Sequence, residues 1–160
     1  PSSPTRRATK AEERTRLWQA RHDVYWAAVG MRPGAKVIAT DVCVPISRLA
    51  ECVDETKRDI LECGITAPIA GHVGDGNFHT APLVMMDDPD EIARVSGFIE
   101  RLVARAVAME GTCTGEHGIG QKKMHFMELE HGPEALNLMR VLKRAIDPDN
   151  IMNPGKVVAV

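Results

Sequence analysis

Aromatic residues are scarce: three Phe, two Trp and one Tyr stand among 160 residues. Such scarcity disfavours a surface that stacks nucleobases and predicts an aliphatic, Met-rich core. Basic runs are missing too. None is longer than Arg6-Arg7 and the net charge is −2, which argues against a nucleic-acid partner. No run of about 18 apolar residues exists, so no membrane span is expected. The four cysteines, Cys43, Cys52, Cys63 and Cys113, form no C-x-x-C pair and no zinc-finger spacing. They are expected as reduced thiols serving as small core residues. The opening Pro1-Ser2-Ser3-Pro4-Thr5-Arg6-Arg7 carries no initiator Met and no apolar signal core. A cut or processed chain without a targeting segment is therefore expected. Internal repeats and low-complexity segments are also absent.

What remains is ordinary globular composition, 44% hydrophobic and 26% charged, in a chain long enough for one core. Residues 1–10 lack periodicity and are expected to be a disordered start. Leu17, Ala20, Val24 and Ala28 recur at helical steps and predict a helix over 11–29, with Arg21 on or beside the stripe. Alternation predicts a strand over 36–44, with Ile38, Val42 and Val44 on one side and Asp41 and Cys43 on the other. A helix over 46–63 follows, closed by Gly64. Strands are predicted over 66–73 and 77–85, Pro82 marking an edge or a break in the second. Asp88 and Pro89 open a helix that runs to about residue 110 and stops at Gly111. A short strand at 112–115, a short helix near 119–130, a firmer one at 133–146 and an irregular tail complete the chain. The order β-α-β-β-α-β predicts an α+β protein: a ferredoxin-like antiparallel sheet with both helices on one face, plus an N-terminal helix and C-terminal helices.

The most telling segment is Gly71-His72-Val73-Gly74-Asp75-Gly76-Asn77-Phe78-His79. Asp-Gly between two β-like runs is a strong hairpin signal. A two-residue Asp75-Gly76 loop pairs Gly74 with Asn77, Val73 with Phe78 and His72 with His79. Opposed residues share a face with Cβ atoms about 4.5–5.5 Å apart, so the two imidazoles can share one metal ion, while Val73 and Phe78 anchor the other face in a core. A phosphate loop is excluded, because the G-K-[ST] ending is missing and a strand follows.

Gly115-Glu116-His117-Gly118 carries the second signal. Flanking glycines allow a sharp bend that turns both Glu116 and His117 to one site. Glu116 can then add a third ligand, and two His with one carboxylate make an open site for Zn²⁺, Mn²⁺ or Fe²⁺. Arg21 is suited to grip a carboxylate through paired hydrogen bonds. His22, His125 and His131 have no partner pattern and are read as surface residues. On these residues alone a dehydrogenase, a metal-dependent hydrolase and a non-catalytic ferredoxin-like module all stay open.

The chain resembles the C-terminal domain of FAD-linked D-lactate dehydrogenases, within the flavin oxidase group that includes D-2-hydroxyglutarate dehydrogenase and the glycolate oxidase flavin subunit. The resemblance covers 11–160. It rests on Leu17-Trp18-Gln19-Ala20-Arg21-His22, on the run from Thr40 to Leu49, on the histidine hairpin, on the run from Gly111 to Gly120 and on Asn153-Pro154-Gly155-Lys156. It implies a divalent metal, Zn or Mn, on His72, His79 and Glu116, with His117 as base and Arg21 and Asn77 at the substrate. Asn153 and Lys156 are implied to return to the flavin. The implied reaction oxidises a small D-2-hydroxy acid to a 2-oxo acid, with hydride passing to FAD in a domain that this chain lacks. By itself the chain is expected to be inactive. Few charged groups besides Arg21 mark the site, which favours a lactate-like substrate over a dicarboxylate. The implied electron acceptor is a cytochrome, a quinone or an electron-transfer flavoprotein, and a homodimer is compatible with the family. The implied location is cytoplasmic in a bacterium or mitochondrial in a eukaryote.

Overall fold

The computed structural model describes residues 8–160. Of the expected disordered start, residues 1–7 lie outside the described residues, and 8–10 lead without helix or strand into α1, Ala11–His22. The single helix expected over 11–29 is two, with a break at Asp23 before α2, Val24–Met31. The apolar stripe is too thin to bury. No α1 residue is buried, Ala28 alone is buried in α2, and Leu17, Trp18, Tyr25 and Trp26 stay exposed.

Each long strand is also broken. The first gives β1 (Lys36–Val37) and β2 (Thr40–Cys43); the third gives β4 (Asn77–Thr80) and β5 (Leu83–Val84), with β3 at Ile69–His72 between them in sequence. The breaks face each other, because Pro82 has no N–H to give a ladder; its carbonyl still accepts from Ile38 N–H at 2.9 Å. The strands β2, β4 and β3 form an antiparallel sheet in the order β2-β4-β3, and β1 pairs antiparallel with β5. The expected strand at 112–115 contributes one bridge, Thr112 to Cys43. The protein is thus α+β, but a three-stranded ladder, a two-stranded ladder and isolated bridges at Thr112–Cys43 and Thr66–Leu83 stand where a continuous four-stranded sheet is expected.

Two long helices cover one side of the sheet. In α3, Ile46–Glu62, Leu49, Cys52, Thr56 and Asp59 are buried. In α4, Pro89–Ala108, the Asp88 side chain accepts from Glu91 N–H as N-cap and Pro89 occupies the first turn, as expected. Val95, Phe98, Leu102, Val103 and Ala106 of α4 pack with Val42, Val44 and Phe78 into the main core. Burying each large side chain there contributes about 1.5–3 kcal/mol. The core is aliphatic, but all three Phe lie in it and Met109 is its one buried Met. Two of the four thiols, Cys52 and Cys113, are buried in it, and all four cysteines are free.

The register of the histidine hairpin differs from the simplest turn. Val73–Asp75 form a 3₁₀ turn closed by Gly76 at φ 73°. His72 therefore pairs with Asn77, and His79 with Ala70. The turn is four residues long, so the pairing moves by two positions. A two-residue move keeps every side chain on its face, and the histidines become diagonal neighbours. Val73 leaves the ladder and is 70% exposed, whereas Phe78 stays in the core. Gly76 is required here: besides its positive φ, a Cβ would stand 2.1 Å from the Val44 carbonyl oxygen.

After α4 the chain runs through the 112–120 bend and a 3₁₀ turn at Met124–Phe126 into α5, Met127–Ile146, which kinks at Gly132 (φ 78°, ψ 162°) before Pro133. On α5, Leu136 is buried but Leu142 and Ile146 are exposed. Asp147 caps the following turn, accepting from Ile151 and Met152 N–H at 3.0 and 2.9 Å. Among the described residues no helix is long and apolar enough to cross a membrane.

Candidate functional site

The sheet face away from α3 and α4 carries the chemistry. Register sets Asp41, His79 and Ala70 in one row across β2, β4 and β3, and Cys43, Asn77 and His72 in the next. The ring centroids of His72 and His79 are 5.5 Å apart, at nearly right angles. Glu116 reaches them from the bend: its Oε1 lies 3.0 Å from His79 Nε2 and 3.6 Å from His72 Nε2. One ligand atom from each of the three residues falls within 4.8 Å of the others. Two imidazole nitrogens and one carboxylate oxygen at that spacing suit a divalent ion that keeps open positions. Burial holds His79 below the ordinary imidazole range, against the opposing pull of Glu116. That favours the neutral form, the one that ligates a metal.

His117 stacks on His79 with centroids 5.1 Å apart and ring planes 22° from parallel. Its Nε2 is 3.9 Å from Glu116 Oε1. From α1, the Arg21 guanidinium donates to His72, with Nη2 2.7 Å from Nε2. Arg21 also lies over Trp18, 5.4 Å from the ring centroid, where cation–π attraction helps hold it. His72, His79, Glu116, His117 and Arg21 border a cavity of about 360 Å³ whose other wall is largely apolar, including Val24, Tyr25, Ala28, Val37 and Ile69, with His22 also lining it. Such a volume is at the small end for ligand pockets.

Other expected residues fall elsewhere. Asn77 is buried beneath the bend and does not line the cavity. A Cβ at Gly115 would meet its Oδ1 at 2.3 Å, so a larger residue there would have to displace the Asn77 side chain. Asn153 and Lys156 line a second cavity, about 460 Å³, with Gly120 and Lys143; among the described residues none borders both cavities. The tail is tied back toward the bend by Val157 N–H donating to Gly120 O at 2.8 Å.

One residue without an assigned role in the sequence reading is central. Asp41 is fully buried. Its Oδ2 accepts from the N–H groups of Gly115, Glu116 and His117 at 2.7, 2.6 and 3.0 Å. The Thr114 hydroxyl donates to both oxygens at 3.3 Å, and Lys123 donates to Oδ1. Lys123 also donates to the carbonyls of Asp41 and Cys113, at 2.9 and 2.8 Å. Burial alone would raise the Asp41 carboxyl; Lys123 and the Glu116 and His117 amides outweigh it and hold the group well below the usual carboxylate range. The available signal was alternation along β2, which sets Asp41 opposite the core-facing Val42. Cys113, by contrast, is no nucleophile: burial and Glu130 push its thiol up to about 12.

The chain matches the family described as FAD linked oxidases, C-terminal domain, over residues 3–157. It is 56% identical over 151 residues to the probable mitochondrial D-lactate dehydrogenase of Danio rerio, covering 94% of this chain and 30% of that protein. It is 43% identical over 155 residues to the mitochondrial D-lactate dehydrogenase (cytochrome) of Arabidopsis thaliana, covering 94% and 27%. With the glycolate oxidase subunit GlcD of Bacillus subtilis the identity is 34% over 152 residues, covering 95% and 32%. The chain thus spans about a third or less of the length of these relatives. A 4-ethylphenol oxidase from Gulosibacter chungangensis, solved with isoeugenol, shares the fold at TM-score 0.66 and 19% identity, over 94% of this chain and 31% of that one.

Proposed function

Because this chain belongs to the C-terminal domain family of FAD-linked oxidases, we propose that it forms the substrate and metal side of a flavin-dependent dehydrogenase. The substrate is a small D-2-hydroxy acid of the D-lactate type and the product its 2-oxo acid. The observation that carries this reading is the convergence of the His72, His79 and Glu116 ligand atoms within 4.8 Å, beside Arg21 and His117 on one small cavity. The curated relatives named D-lactate dehydrogenase supply the reaction. The same reading keeps the ferredoxin-like strand order, with the Thr112 bridge beside β2 marking the fourth position.

His72, His79 and Glu116 hold a divalent metal, Zn²⁺ or Mn²⁺, in this proposal. When bound, the metal supplies Lewis acidity that eases loss of a hydroxyl proton, and FAD supplies the two-electron acceptor. Arg21 swings from His72 to bind the substrate carboxylate through paired N–H donors. His117 takes the hydroxyl proton at Nε2, and its stacking on His79 restrains the ring. Val24, Ala28 and Ile69 give the cavity an apolar wall, and Arg21 is its one Lys or Arg among the described residues, which favours a small monocarboxylate. Asn77 is assigned to the substrate side on resemblance alone. Asn153 and Lys156, polar and exposed, are assigned to the flavin side. A cytochrome is the proposed electron acceptor, since the Arabidopsis thaliana and Saccharomyces cerevisiae relatives carry that word in their names.

The test uses the whole protein that carries this chain: metal analysis, then dye-coupled oxidation of D- and L-lactate. Stoichiometric metal with D-selective turnover is expected. His117→Ala should keep the metal and lose turnover at least about 100-fold, the usual scale for a positioned acid–base group. Ester cleavage without hydroxy-acid oxidation would replace this reading with a hydrolase.

A further inference from the structure

We propose that Asp41 is the positioning residue of this site: its carboxylate folds the Gly115–His117 bend so that Glu116 and His117 address the same cavity. In extended chain, adjacent residues point to opposite faces, so two neighbouring functional side chains need a fixed bend to converge. Its entry is held at Cys113, whose N–H donates to Glu130 and whose carbonyl accepts from Lys123, but the N–H groups of Gly115, Glu116 and His117 go to Asp41. Residues 113–123 contain no strand, and Glu116 and His117 are both exposed. Three consecutive N–H groups converge on Asp41 Oδ2, an arrangement in which backbone donors form a concave nest around an anion. Here the anion is a side chain from the sheet, directly paired with His79 in the ladder.

A plain ion pair with Lys123 does not account for this geometry. Lys123 bonds Oδ1, and Oδ2 is given over to the bend amides. Asp41 Oδ1 also lies 3.4 Å from His117 Nδ1. A carboxylate on that side of the ring favours the proton on Nδ1 and leaves Nε2 free as the acceptor. One carboxylate therefore sets a metal ligand and the proposed base together. Its metal consequences rest on the function proposed above; its hold on the backbone does not.

The experiment is peptide-resolved hydrogen exchange on the whole enzyme with Asp41→Asn, joined to Zn²⁺ affinity and steady-state kinetics. In the metal-free native enzyme, the amides of 115–117 should exchange at least about 100-fold more slowly than free peptide, as hydrogen-bonded amides do. In Asp41→Asn they should exchange at least about tenfold faster while 95–106 in α4 is unchanged. Zn²⁺ affinity should fall about 10–100-fold, the scale of lost support for a ligand. At saturating metal, kcat should fall with KM nearly constant, because Arg21 sits on another element. Equal acceleration in α4 would mean general destabilisation and overturn the proposal, as would unchanged Zn²⁺ affinity. Should Asp41→Asn not fold, the native metal-free enzyme decides alone: fast exchange at 115–117 overturns the proposal, and slow exchange upholds the hold on the bend. Absence of any metal from the native enzyme, with slow exchange kept, would strike the function proposed above and leave the bend assignment standing.

Discussion

On the helix-covered side of the sheet, Val42 faces Phe78 in a core sealed by Phe98 and Leu102 of α4. One residue along the same strands, Asp41 faces His79 toward a cavity bordered by Glu116 and His117. Neighbouring positions on one pair of strands thus serve stability on one side and chemistry on the other. Each side also has a buried aspartate with cationic partners. Asp59 on α3 is a clamp: Arg101 donates at 2.7 Å and Arg105 at 2.8 Å, tying α3 to α4. Asp41 spends one oxygen on backbone amides. Similar charge chemistry joins two helices in one place and shapes a loop in the other.

Phe98→Ala should give the largest effect on the core side, costing about 3–5 kcal/mol of stability. Chemical denaturation measures the loss, and metal affinity per folded molecule should not change. His79→Ala is the mirror experiment. It should weaken metal binding at least about 100-fold, near 2.7 kcal/mol, with stability of the metal-free protein lowered by about 1 kcal/mol or less. A large stability loss without metal would merge the two sides into one cooperative unit.

Asp59→Ala should cost about 2 kcal/mol at neutral pH, below the range for a fully buried pair because Arg101 is half exposed. Burial acting alone would raise the Asp59 carboxyl; Arg101 and Arg105 hold it down to about 2. Its folded value is therefore depressed. The stability it supplies is complete above about pH 4 and drains away as pH falls toward about 2. Denaturation midpoints at pH 5 and pH 3 should show this loss in the native protein and much less of it in Asp59→Ala. Val73→Ala should do least, within about 0.5 kcal/mol, because that side chain sits in the turn and faces solvent. A loss above about 1 kcal/mol would return Val73 to the core, where a two-residue turn puts it.

Much of this contrast was legible beforehand. Alternation separated Val42 from Asp41, helical periodicity found α4 with its Asp88-Pro89 start, and glycines marked the bend. Turn length was not legible, because Val73 looks like strand in sequence, whereas Val73–Asp75 form a 3₁₀ turn whose end is tied down by Val44 N–H donating to Gly76 O. The α1–α2 stripe misled, since periodicity reports a face without saying whether anything packs on it. Asp41 is placed by alternation on the strand face opposite Val42, and no more than that. Its role depends on residues more than 70 positions away, which no local pattern encodes.

The four-residue turn between β3 and β4 acts as a length gauge. Adding or deleting a residue within 73–76 has two outcomes. Hairpins close on loops of about two to five residues, so the change can be taken up in the loop with the His72–Asn77 pairing kept. If instead the ladder slips by one, His72 and His79 go to opposite sides of the sheet. Chains that keep this pocket should therefore vary in that loop only in ways that preserve the pairing beside it.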